Sequence, residues 1–328
     1  MISMPSCRRA VVAAITIVAC TLLCAPASGQ DTRKLESLTV EQARELVAKK
    51  QPPLLDSTGS WLSLDGLKTL SPEVAAVLVE PAGQLSLDGL TELSPETAVV
   101  LAKHKPVGGF GHADLRLNGL KTISSAVAEA LAAHQGMILL HSLEKLDSMP
   151  LAKKLAAQWG ELRLGLTELS PEIAAELAKN AGVAEDKTRP GVIHRRADRA
   201  PSVLRLDNLW SLSPETAEAL SKHSGVLVLN GLVSLDPLVA TSLAKRTGTL
   251  VLNGLPSLST EAATAIAEFP GELVLKAITE LPPDAAAALA KHKGRLHLTG
   301  LTVISPETRA ALQSHANVLL PRSLVASQ

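Results

Sequence analysis

The sequence predicts an α/β solenoid, with a parallel β-sheet on its concave face and short helices on the opposite face. A pattern of about 23 residues recurs along the chain. Each copy contains an alternating L-x-L segment, which is typical of a short strand, followed by a segment close to Ser-Pro-Glu, which is typical of a helix start. Because the copies follow one another along the chain, we expect one continuous stack.

The repeat register is clearest in the second half of the chain. The copies read approximately L-x-L-x-G-L-x-x-L-S-P-E-x-A-x-x-L, and five of them start 23 residues apart, at Leu204, Leu227, Leu250, Leu273 and Leu296. Earlier copies start at Leu62, Leu85, Leu115, Ile138 and Leu162. A truncated copy begins at Leu38, and residues 318–320 form a final lone strand. The pattern therefore predicts about ten full repeats and two partial ones.

Each copy carries the signals of one strand and one helix. Asp-Gly or Asn-Gly after the strand, as at Asp88 and Gly89, predicts a turn with positive φ. In the Ser-Pro-Glu segment, we expect Ser213 to be the N-cap, Pro214 to be the first helical residue and Glu215 to face the positive end of the helix dipole. One such unit cannot bury its leucines alone, so the units must stack.

This strand-turn-helix repeat resembles the leucine-rich repeat superfamily, and most closely its divergent bacterial members with repeats of about 23 residues. The resemblance covers about residues 35–321 and implies a horseshoe or arc that binds proteins or glycans on its concave face. The commonest family pattern places an asparagine after the two strand leucines, where it forms a buried ladder. In this chain, leucines such as Leu67, Leu90 and Leu232 lie close to that place, which is a departure from the family.

The domain organisation follows from where the repeat begins, breaks and ends. Residues 1–29 contain Arg8, Arg9 and an apolar run over 10–25, which predicts a secretory signal peptide; a lipoprotein leader acylated at Cys20 is the alternative. We then expect a capping partial repeat at 30–60, repeat blocks at 61–182 and 204–321 separated by an inserted loop at 183–203, and a tail at 322–328. The mature chain is therefore expected in the periplasm, the cell envelope or the extracellular space.

Composition excludes several functional classes. Cys7, Cys20 and Cys24 all lie in the predicted leader, so we expect no disulfide, cysteine catalysis or thiolate metal site. The 32 basic and 32 acidic residues leave a net charge of about −2 once Arg8 and Arg9 are removed. Aromatic stacking platforms are scarce, with no Tyr, two Phe and three Trp. We expect no nucleic-acid partner, no cofactor and, after leader cleavage, no membrane span.

The sequence shows no catalytic or metal-binding motif. H-E-x-x-H, G-x-S-x-G, the P-loop and C-x-x-C are all absent. Five histidines share one repeat position near the helix end, where other copies have residues as different as Phe269 and Arg246; they are His104, His134, His223, His292 and His315. We interpret this as a boundary position that satisfies the last helix carbonyls, with a metal pair such as His292 and His315 as the alternative. The prediction is a protein that is not an enzyme, with no catalytic and no metal-binding residues.

The first candidate binding residues lie between the two strand leucines. If those leucines point inward, the residue between them faces the concave side. This column contains an arginine stretch next to three valines, which suggests an anion-binding and apolar patch; the alternative is that β-branched residues simply suit strands. The candidates are Arg116, Arg163, Arg205, Val228, Val251, Val274 and His297.

The second candidate region is the insertion at 183–203, which is rich in Lys, Arg and His and shows no helical or strand period. Loops that protrude from a regular scaffold often carry function, but they also form disordered seams between solenoid blocks, which is the interpretation we favour. The candidate contacts are Arg189, His194, Arg195 and Arg196.

Three functional classes remain. The first is a non-enzymatic exported protein that binds an unknown protein or glycan through its concave sheet face. The second is a structural component of the cell envelope that self-associates through its sheet or its ends. The third is a hydrolase with its site in the inserted loops, around His112, Asp114 and His194. The sequence favours the first class, because a solenoid offers a long continuous surface and no reactive constellation is present.

Overall fold

The structure, a computed structural model, describes residues 32–49, 61–81, 83–105, 115–158, 160–180, 202–315 and 317–321. The predicted leader at 1–29, most of the predicted insertion at 183–203 and the tail at 322–328 lie outside the described residues. Within the described ranges, strands and helices alternate from one end of the chain to the other. The repeat region is therefore the part of the chain that positions the candidate site.

The described strands are two or three residues long, and each includes the first leucine or isoleucine of its copy or the equivalent Val318. They are β1 Trp61–Ser63, β2 Gln84–Ser86, β3 Leu115–Arg116, β4 Ile138–Leu139, β5 Glu161–Arg163, β6 Val203–Arg205, β7 Val226–Val228, β8 Thr249–Val251, β9 Glu272–Val274, β10 Leu296–His297 and β11 Val318–Leu319.

The described helices are equally regular. They are α1 Val40–Lys49, α2 Pro72–Leu78, α3 Pro95–Leu101, α4 Ser125–Ala132, α5 Met149–Ala156, α6 Pro171–Leu177, α7 Pro214–Ser221, α8 Pro237–Ala244, α9 Thr260–Ala267, α10 Pro283–Leu289 and α11 Pro306–Gln313. Each strand from β1 to β10, together with the helix that follows it, forms one unit, and units are numbered below by their strand. With α1 and β11 as partial copies, the described residues confirm the predicted ten full and two partial repeats.

All strand pairs are parallel, and they join equivalent positions of neighbouring units. Leu204 pairs with Leu162 on one side and with Leu227 on the other. β5 therefore pairs directly with β6 although the predicted insertion separates them in sequence, so the ladder is continuous across the predicted boundary between the repeat blocks. The hydrogen-bonded ladder is divided elsewhere, between a four-stranded sheet β1–β4 and a seven-stranded sheet β5–β11.

At this division a side chain takes the place of one backbone ladder hydrogen bond. Leu162 follows Ile138 by 24 residues instead of 23. In unit 3 the N–H of Leu115 donates to the carbonyl of Met137 in the next unit, but the N–H of Ile138 donates to the side-chain Oε1 of Gln158, at 2.9 Å. The two sheets remain joined because α5 packs against α6 and the N–H of Thr167 donates to the carbonyl of Glu144, at 3.0 Å.

The strand leucines and the inner faces of the helices form one aliphatic core. In unit 6, Leu204, Leu206 and Leu209 are buried against Ala217 of α7. The small alanine side chain allows the helix to lie close to the sheet, and the same arrangement recurs with Ala263 in α9. Stacking of the units therefore buries leucines that a single unit would leave exposed.

The helices begin as the sequence predicts. In α7 the Oγ of Ser213 accepts a hydrogen bond from the N–H of Thr216 at 3.1 Å, and Pro214 is the first helical residue. Glu215 accepts from its own backbone N–H and from Ser213, and these hydrogen bonds hold the pKa of its carboxyl below the ordinary value. These recurring glutamates therefore belong to helix starts rather than to paired acid and base groups.

The glycines of the Asp-Gly and Asn-Gly segments serve close packing, and the prediction of positive φ there is wrong. Among the described glycines, positive φ occurs at Gly83, Gly160 and Gly248. A Cβ at Gly89 would overlap the carbonyl oxygen of Asp65, and a Cβ at Gly254 would overlap that of Asn230. Glycine is needed because each strand-to-helix connection packs directly against the backbone of the preceding one.

The residue directly after the second strand leucine forms a side-chain ladder that links neighbouring units. In the first sheet, Oδ1 of Asp65 accepts from the N–H of Asp88 at 3.1 Å, Oδ1 of Asp88 accepts from the N–H of Asn118 at 3.0 Å, and Oδ1 of Asn118 accepts from the N–H of His141 at 3.0 Å. Each side chain thus satisfies a backbone donor of the next unit.

The second sheet repeats this ladder. Oδ1 of Asn230 accepts from the N–H of Asn253 at 3.1 Å, and Oδ1 of Asn253 accepts from the N–H of Lys276 at 3.1 Å. The assignment of leucines such as Leu67 and Leu232 to the ladder place is therefore wrong. Both leucines are buried in the core, and the Asp or Asn two residues before them forms the ladder.

Candidate binding face

The residues between the two strand leucines lie side by side on the sheet, and we call them the open row. In the first sheet the open row is Ser63, Ser86, Arg116 and Leu139. In the second sheet it is Arg163, Arg205, Val228, Val251, Val274, His297 and Leu319. The predicted candidates are therefore neighbours in space, with the gap between β4 and β5 separating Arg116 from Arg163.

Arg116 is held by a carboxylate within the solenoid. Its Nη2 and Nε donate to Oδ2 of Asp88 at 2.6 and 3.1 Å. The other oxygen of Asp88 belongs to the ladder described above. Both charges are partly shielded from solvent, since the side chains are 35% and 20% exposed. The positive charge of Arg116 is consequently offset before any ligand arrives.

Arg205 is held in the same way by two carboxylates. Its Nε donates to Oε1 of Glu161 at 2.6 Å, and its Nη1 donates to Oδ2 of Asp207 at 3.4 Å. The hydrogen bond to Glu161 is the main reason that the pKa of Arg205 is raised. This ion pair bridges β5 and β6 and fixes the side chain along the sheet.

Arg163 differs from the other two arginines. Its side chain is exposed, and among the described residues no carboxylate forms an ion pair with it. His141 lies in the neighbouring unit; burial is the main cause of its lowered pKa, and the positive charges of Arg163 and Arg116 lower it further. The negative charges of Asp88 and Glu161 act on the same pKa in the opposite direction, so the gap between the sheets carries both signs of charge, and Arg163 is its exposed cation.

The suggestion from the sequence that three valines form an exposed apolar stripe is wrong. Val228 is 3% exposed and Val274 is 8% exposed, and only Val251 is partly exposed. Parallel strands lie about 4.8 Å apart, so the side chains of adjacent strands cover a short neighbour even when it points away from the helices. The β-branched residues are thus explained by strand packing.

His297, the open-row residue before Leu319, lies in a polar cluster. Its Nε2 lies 2.7 Å from Oε1 of Glu272, and Nη1 of Arg295 lies 3.6 Å from the same oxygen. Burial raises the pKa of Glu272, but the hydrogen bonds from His297 and Thr249 outweigh burial and hold the pKa below its ordinary value. Glu272 is therefore an ionised carboxylate at neutral pH.

The candidate loop contacts lie outside the described residues. This applies to Arg189, His194, Arg195 and Arg196 of the insertion, and to His112 and Asp114 of the shorter one. Their roles stay predictions.

The histidine column is buried in the core, so the prediction of a boundary position is wrong. The prediction that these histidines satisfy helix-end carbonyls is confirmed for His223, whose partner Ala178 is the C-cap of α6. His104 donates from Nε2 to the carbonyl of Gly83 at 2.7 Å, and His223 donates from Nδ1 to the carbonyl of Ala178 at 3.3 Å. The rings of His292 and His315 stack with centroids 5.9 Å apart. Within the described ranges, no group of three or more His, Cys, Asp or Glu is placed to hold a metal ion.

Arg246 shows why this column accepts such different residues. It is 1% exposed and donates to the carbonyls of Thr249, Gly225 and His223 at 2.6, 2.7 and 3.3 Å. Burial lowers the pKa of its guanidinium to about 10. The guanidinium lies 5.7 Å from the ring centroid of Phe269 in the next unit. The column is an internal stack of buried polar groups: Arg246 donates to backbone carbonyls, whereas Gln158 accepts from the backbone N–H of Ile138.

The sequence analysis did not predict two residues that lie beside the open row. Glu161 and Glu272 both stand directly before the first strand leucine; Glu161 accepts from Arg205, and Glu272 is hydrogen-bonded to the imidazole of His297. In a strand, residues two positions apart face the same side, so this position faces the same side as the open row. Applying the two-residue period to that position would have found them.

The fold and the open row define the class of this protein as an LRR-like solenoid repeat protein. No family model matches the sequence, and no curated protein matches it either. Of the helices in the described residues, none is long and apolar enough to cross a membrane.

Solved structures with a similar repeat architecture come from bacterial proteins. A leucine-rich-repeat protein of Leptospira interrogans is 15% identical, with 88% of this chain and 81% of that chain covered and a TM-score of 0.34. An internalin of Listeria monocytogenes is 13% identical, with 85% and 93% covered and a TM-score of 0.36. The functional domain of a second Listeria monocytogenes internalin, InlJ, is 14% identical, with 78% and 64% covered and a TM-score of 0.28. The class assignment itself rests on the 23-residue spacing and the strand register of this chain.

Proposed function

We propose that this chain is an exported, non-enzymatic binding protein whose open row engages a carboxylate on a protein partner. The observation that carries the proposal is the exposed guanidinium of Arg163 beside the gap between the two sheets. Arginine suits this role because its planar fork donates two parallel hydrogen bonds to a carboxylate. Export is inferred from the leader-like residues 1–29.

The surrounding charges support Arg163 as the contact residue. Arg116 and Arg205 are engaged with Asp88 and Glu161, so an incoming carboxylate would have to displace those partners. Arg163 requires no such exchange. The ion pairs on either side already hold the side chains of Arg116 and Arg205 in place, so less side-chain entropy is lost when a partner binds.

A protein partner is favoured over a glycan by the residue types of the open row. Its members from Ser63 to Leu319 include no Trp, Tyr or Phe that could stack on a sugar ring. The row contains instead fixed ion pairs at Arg116 and Arg205, and fixed charges can set the register of a protein partner.

The test is a crosslinking pull-down from the native envelope fraction with residues 30–328, run beside an Arg163→Glu variant. Lys68→Glu is the matched control, because Lys68 is exposed but lies on the connection after β1, away from the open row. We expect one partner to be captured by the wild type and by Lys68→Glu, and to be lost with Arg163→Glu.

Binding is then measured with the purified partner. Loss of a charge-assisted contact predicts an affinity about tenfold lower for Arg163→Glu. Equal affinity of the wild type and Arg163→Glu would show that the open row is not the binding face. Simultaneous reversal of all three arginines is a poor test, because Arg116→Glu and Arg205→Glu would each place a carboxylate beside Asp88 or Glu161 and destabilise the sheet.

A further inference from the structure

Most of the large exposed apolar side chains of the described residues fall in two places. Trp210, Val233 and Leu238 are 60%, 59% and 65% exposed; together with the exposed Pro256 they form what we call the apolar patch. Val99, 48% exposed, lines a groove in another part of the solenoid. Large exposed apolar side chains that lie together mark interaction surfaces more often than scattered ones.

The apolar patch is built by three consecutive units. Trp210, Val233 and Pro256 occupy the same repeat position at intervals of 23 residues, and the N–H of Val233 donates to the carbonyl of Trp210 at 3.4 Å. Leu238 is the second residue of α8, where α7 has Glu215. In most other units the position of Trp210 holds a polar or charged residue, such as Lys68 or Thr167. Units 6, 7 and 8 instead form a continuous apolar edge there.

The rim of this patch is acidic. The strand-to-helix connections of units 6, 7 and 8 with the adjoining helix starts, residues 206–217, 229–240 and 252–263, contain no Lys or Arg. Their charged residues are Asp207, Glu215, Asp236 and Glu261. Of these, Glu215, Asp236 and Glu261 are exposed at the starts of α7, α8 and α9. A partner surface that covers Trp210 would therefore meet carboxylates around it.

The groove is apolar like the patch, but the charge of its rim is opposite. It encloses about 410 Å³ between α3 and α4 and is lined by Val99 and the alanines Ala102, Ala130 and Ala133. Lys103 and Lys105 are also among its lining residues, and no carboxylate is. A volume of this size is at the lower end of the range that holds a bound group. The groove is thus apolar with a basic rim.

We propose that the apolar patch of one copy of this chain docks into the groove of a second copy. The two surfaces match in charge, since the acidic rim of one meets the lysines of the other, and each supplies apolar area that is exposed in the single chain. Within one chain they cannot meet, because the groove belongs to units 2 and 3 and the patch to units 6, 7 and 8 of one continuous stack. The contact is intermolecular.

This contact is heterologous, because two different surfaces meet. Heterologous contacts leave one free patch and one free groove at the ends of every assembly, so they build open chains unless the rotation closes a ring. Both surfaces are small compared with a standard interface of about 800 Å² per partner, so the association is weak and depends on protein concentration. Opposite rim charges also make it sensitive to salt. This self-association is independent of the open row, and Arg163 lies on neither surface.

The experiment is sedimentation velocity of residues 30–328 from micromolar to near-millimolar concentration, with two double variants. The patch variant combines Trp210→Ala with Val233→Ser, and the groove variant combines Lys103→Glu with Lys105→Glu. We expect the wild type to form dimers and longer species as concentration rises, and each variant alone to stay monomeric. An equimolar mixture of the two variants restores a 1:1 pair and nothing longer, because one intact groove and one intact patch remain.

Val303→Ser is the matched control, because Val303 is as exposed as Val233, at 58% against 59%, and lies outside the patch. It should associate like the wild type. All substituted side chains are exposed, so far-ultraviolet circular dichroism and thermal melting should show that the variants fold. A wild type that stays monomeric at every concentration, variants that associate as well as the wild type, or a mixture that restores no pair would each overturn the proposal.

Discussion

The backbone N–H of Lys276 donates a hydrogen bond to Oδ1 of Asn253, 3.1 Å away and 23 residues earlier in the chain. Asn253→Ala removes this acceptor, and the exposed N–H of Lys276 then bonds to solvent. We expect the free energy of unfolding to fall by about 1 kcal/mol. Urea denaturation followed by circular dichroism measures the change.

Asn253→Asp is the control for that substitution. Aspartate keeps the Oδ1 acceptor and adds a negative charge next to the exposed Lys276. Stability should therefore stay within about 0.5 kcal/mol of the wild type. If the alanine and aspartate variants are destabilised equally, the side-chain ladder does not hold the units together.

Gly254 and Gly160 are needed for different reasons, close backbone packing at Gly254 and positive φ at Gly160. A Cβ at Gly254 would overlap the carbonyl oxygen of Asn230, whereas a Cβ at Gly160 would have no atom within 4 Å but would sit at φ +85°. Gly254→Ala should cost about 3 kcal/mol or more, because two backbones must move apart. Gly160→Ala should cost only about 1 kcal/mol of backbone strain. Thermal melting of the two variants decides the order, and a larger loss for Gly160→Ala would contradict it.

The sequence predicts the units well because their signals are local. Ser213, Pro214 and Glu215 act within one helix turn, and the strand leucines recur in a register that chance does not produce. The register of the sheet and the count of units follow from those signals alone. Local patterns therefore carry nearly all of the fold.

What the sequence does not predict depends on contacts between units. Gly89 looks like a turn residue until the carbonyl of Asp65 is seen in the space of its missing side chain. Val228 faces away from the helices and is still buried by its neighbours. Arg246 looks like a surface residue because its column also holds Gln158 and His223, yet carbonyls of three different residues surround it. In each case the deciding atoms belong to another repeat.

Arg246 is expected to be one of the most sensitive positions in the core. Arg246→Ala removes the hydrogen bonds from the guanidinium to the carbonyls of Thr249 and Gly225 and opens a cavity beside Phe269; the Gly225 carbonyl keeps only the 3.3 Å bond from the N–H of Thr249. We expect a loss of about 3 kcal/mol or more in unfolding free energy. Arg246→His should lose less, because His292 and His315 show that this column accepts an imidazole.

Arg295→Ala serves as the comparison for Arg246→Ala. Its side chain is 63% exposed, and it contributes only a long ion pair to Glu272. The change should lie within about 0.5 kcal/mol. Because repeat proteins can unfold in parts, hydrogen exchange in units 7 and 8 should accompany the denaturation measurement. Equal losses for the two variants would show that the buried guanidinium is not needed.

Stability should decline as the pH falls from about 7.5 to 5, because an unfolded histidine titrates near pH 6.5 and the folded chain resists protonation of His223 and His292. Burial lowers the pKa of His223, and also that of His292, below the ordinary value. Between the folded and the unfolded pKa, the unfolded chain binds protons that the folded chain does not. Stability is therefore highest above the unfolded pKa and is lost progressively below it.

The carboxylates act in a lower pH window. The pKa values of Asp65, Glu215 and Glu272 are lowered in the folded chain, so their contribution is present above about pH 4.5 and is lost only below it. Melting temperatures at pH 8, 6 and 5 thus report mainly on the histidines. His223→Gln removes one of these groups and keeps a buried polar side chain, as Gln158 is at the same position. Its melting temperature should fall less between pH 8 and pH 5 than that of the wild type. An unchanged slope would mean that His223 is protonated in the folded chain as easily as in the unfolded one, and that the carbonyl of Ala178 and its neighbours offset the effect of burial.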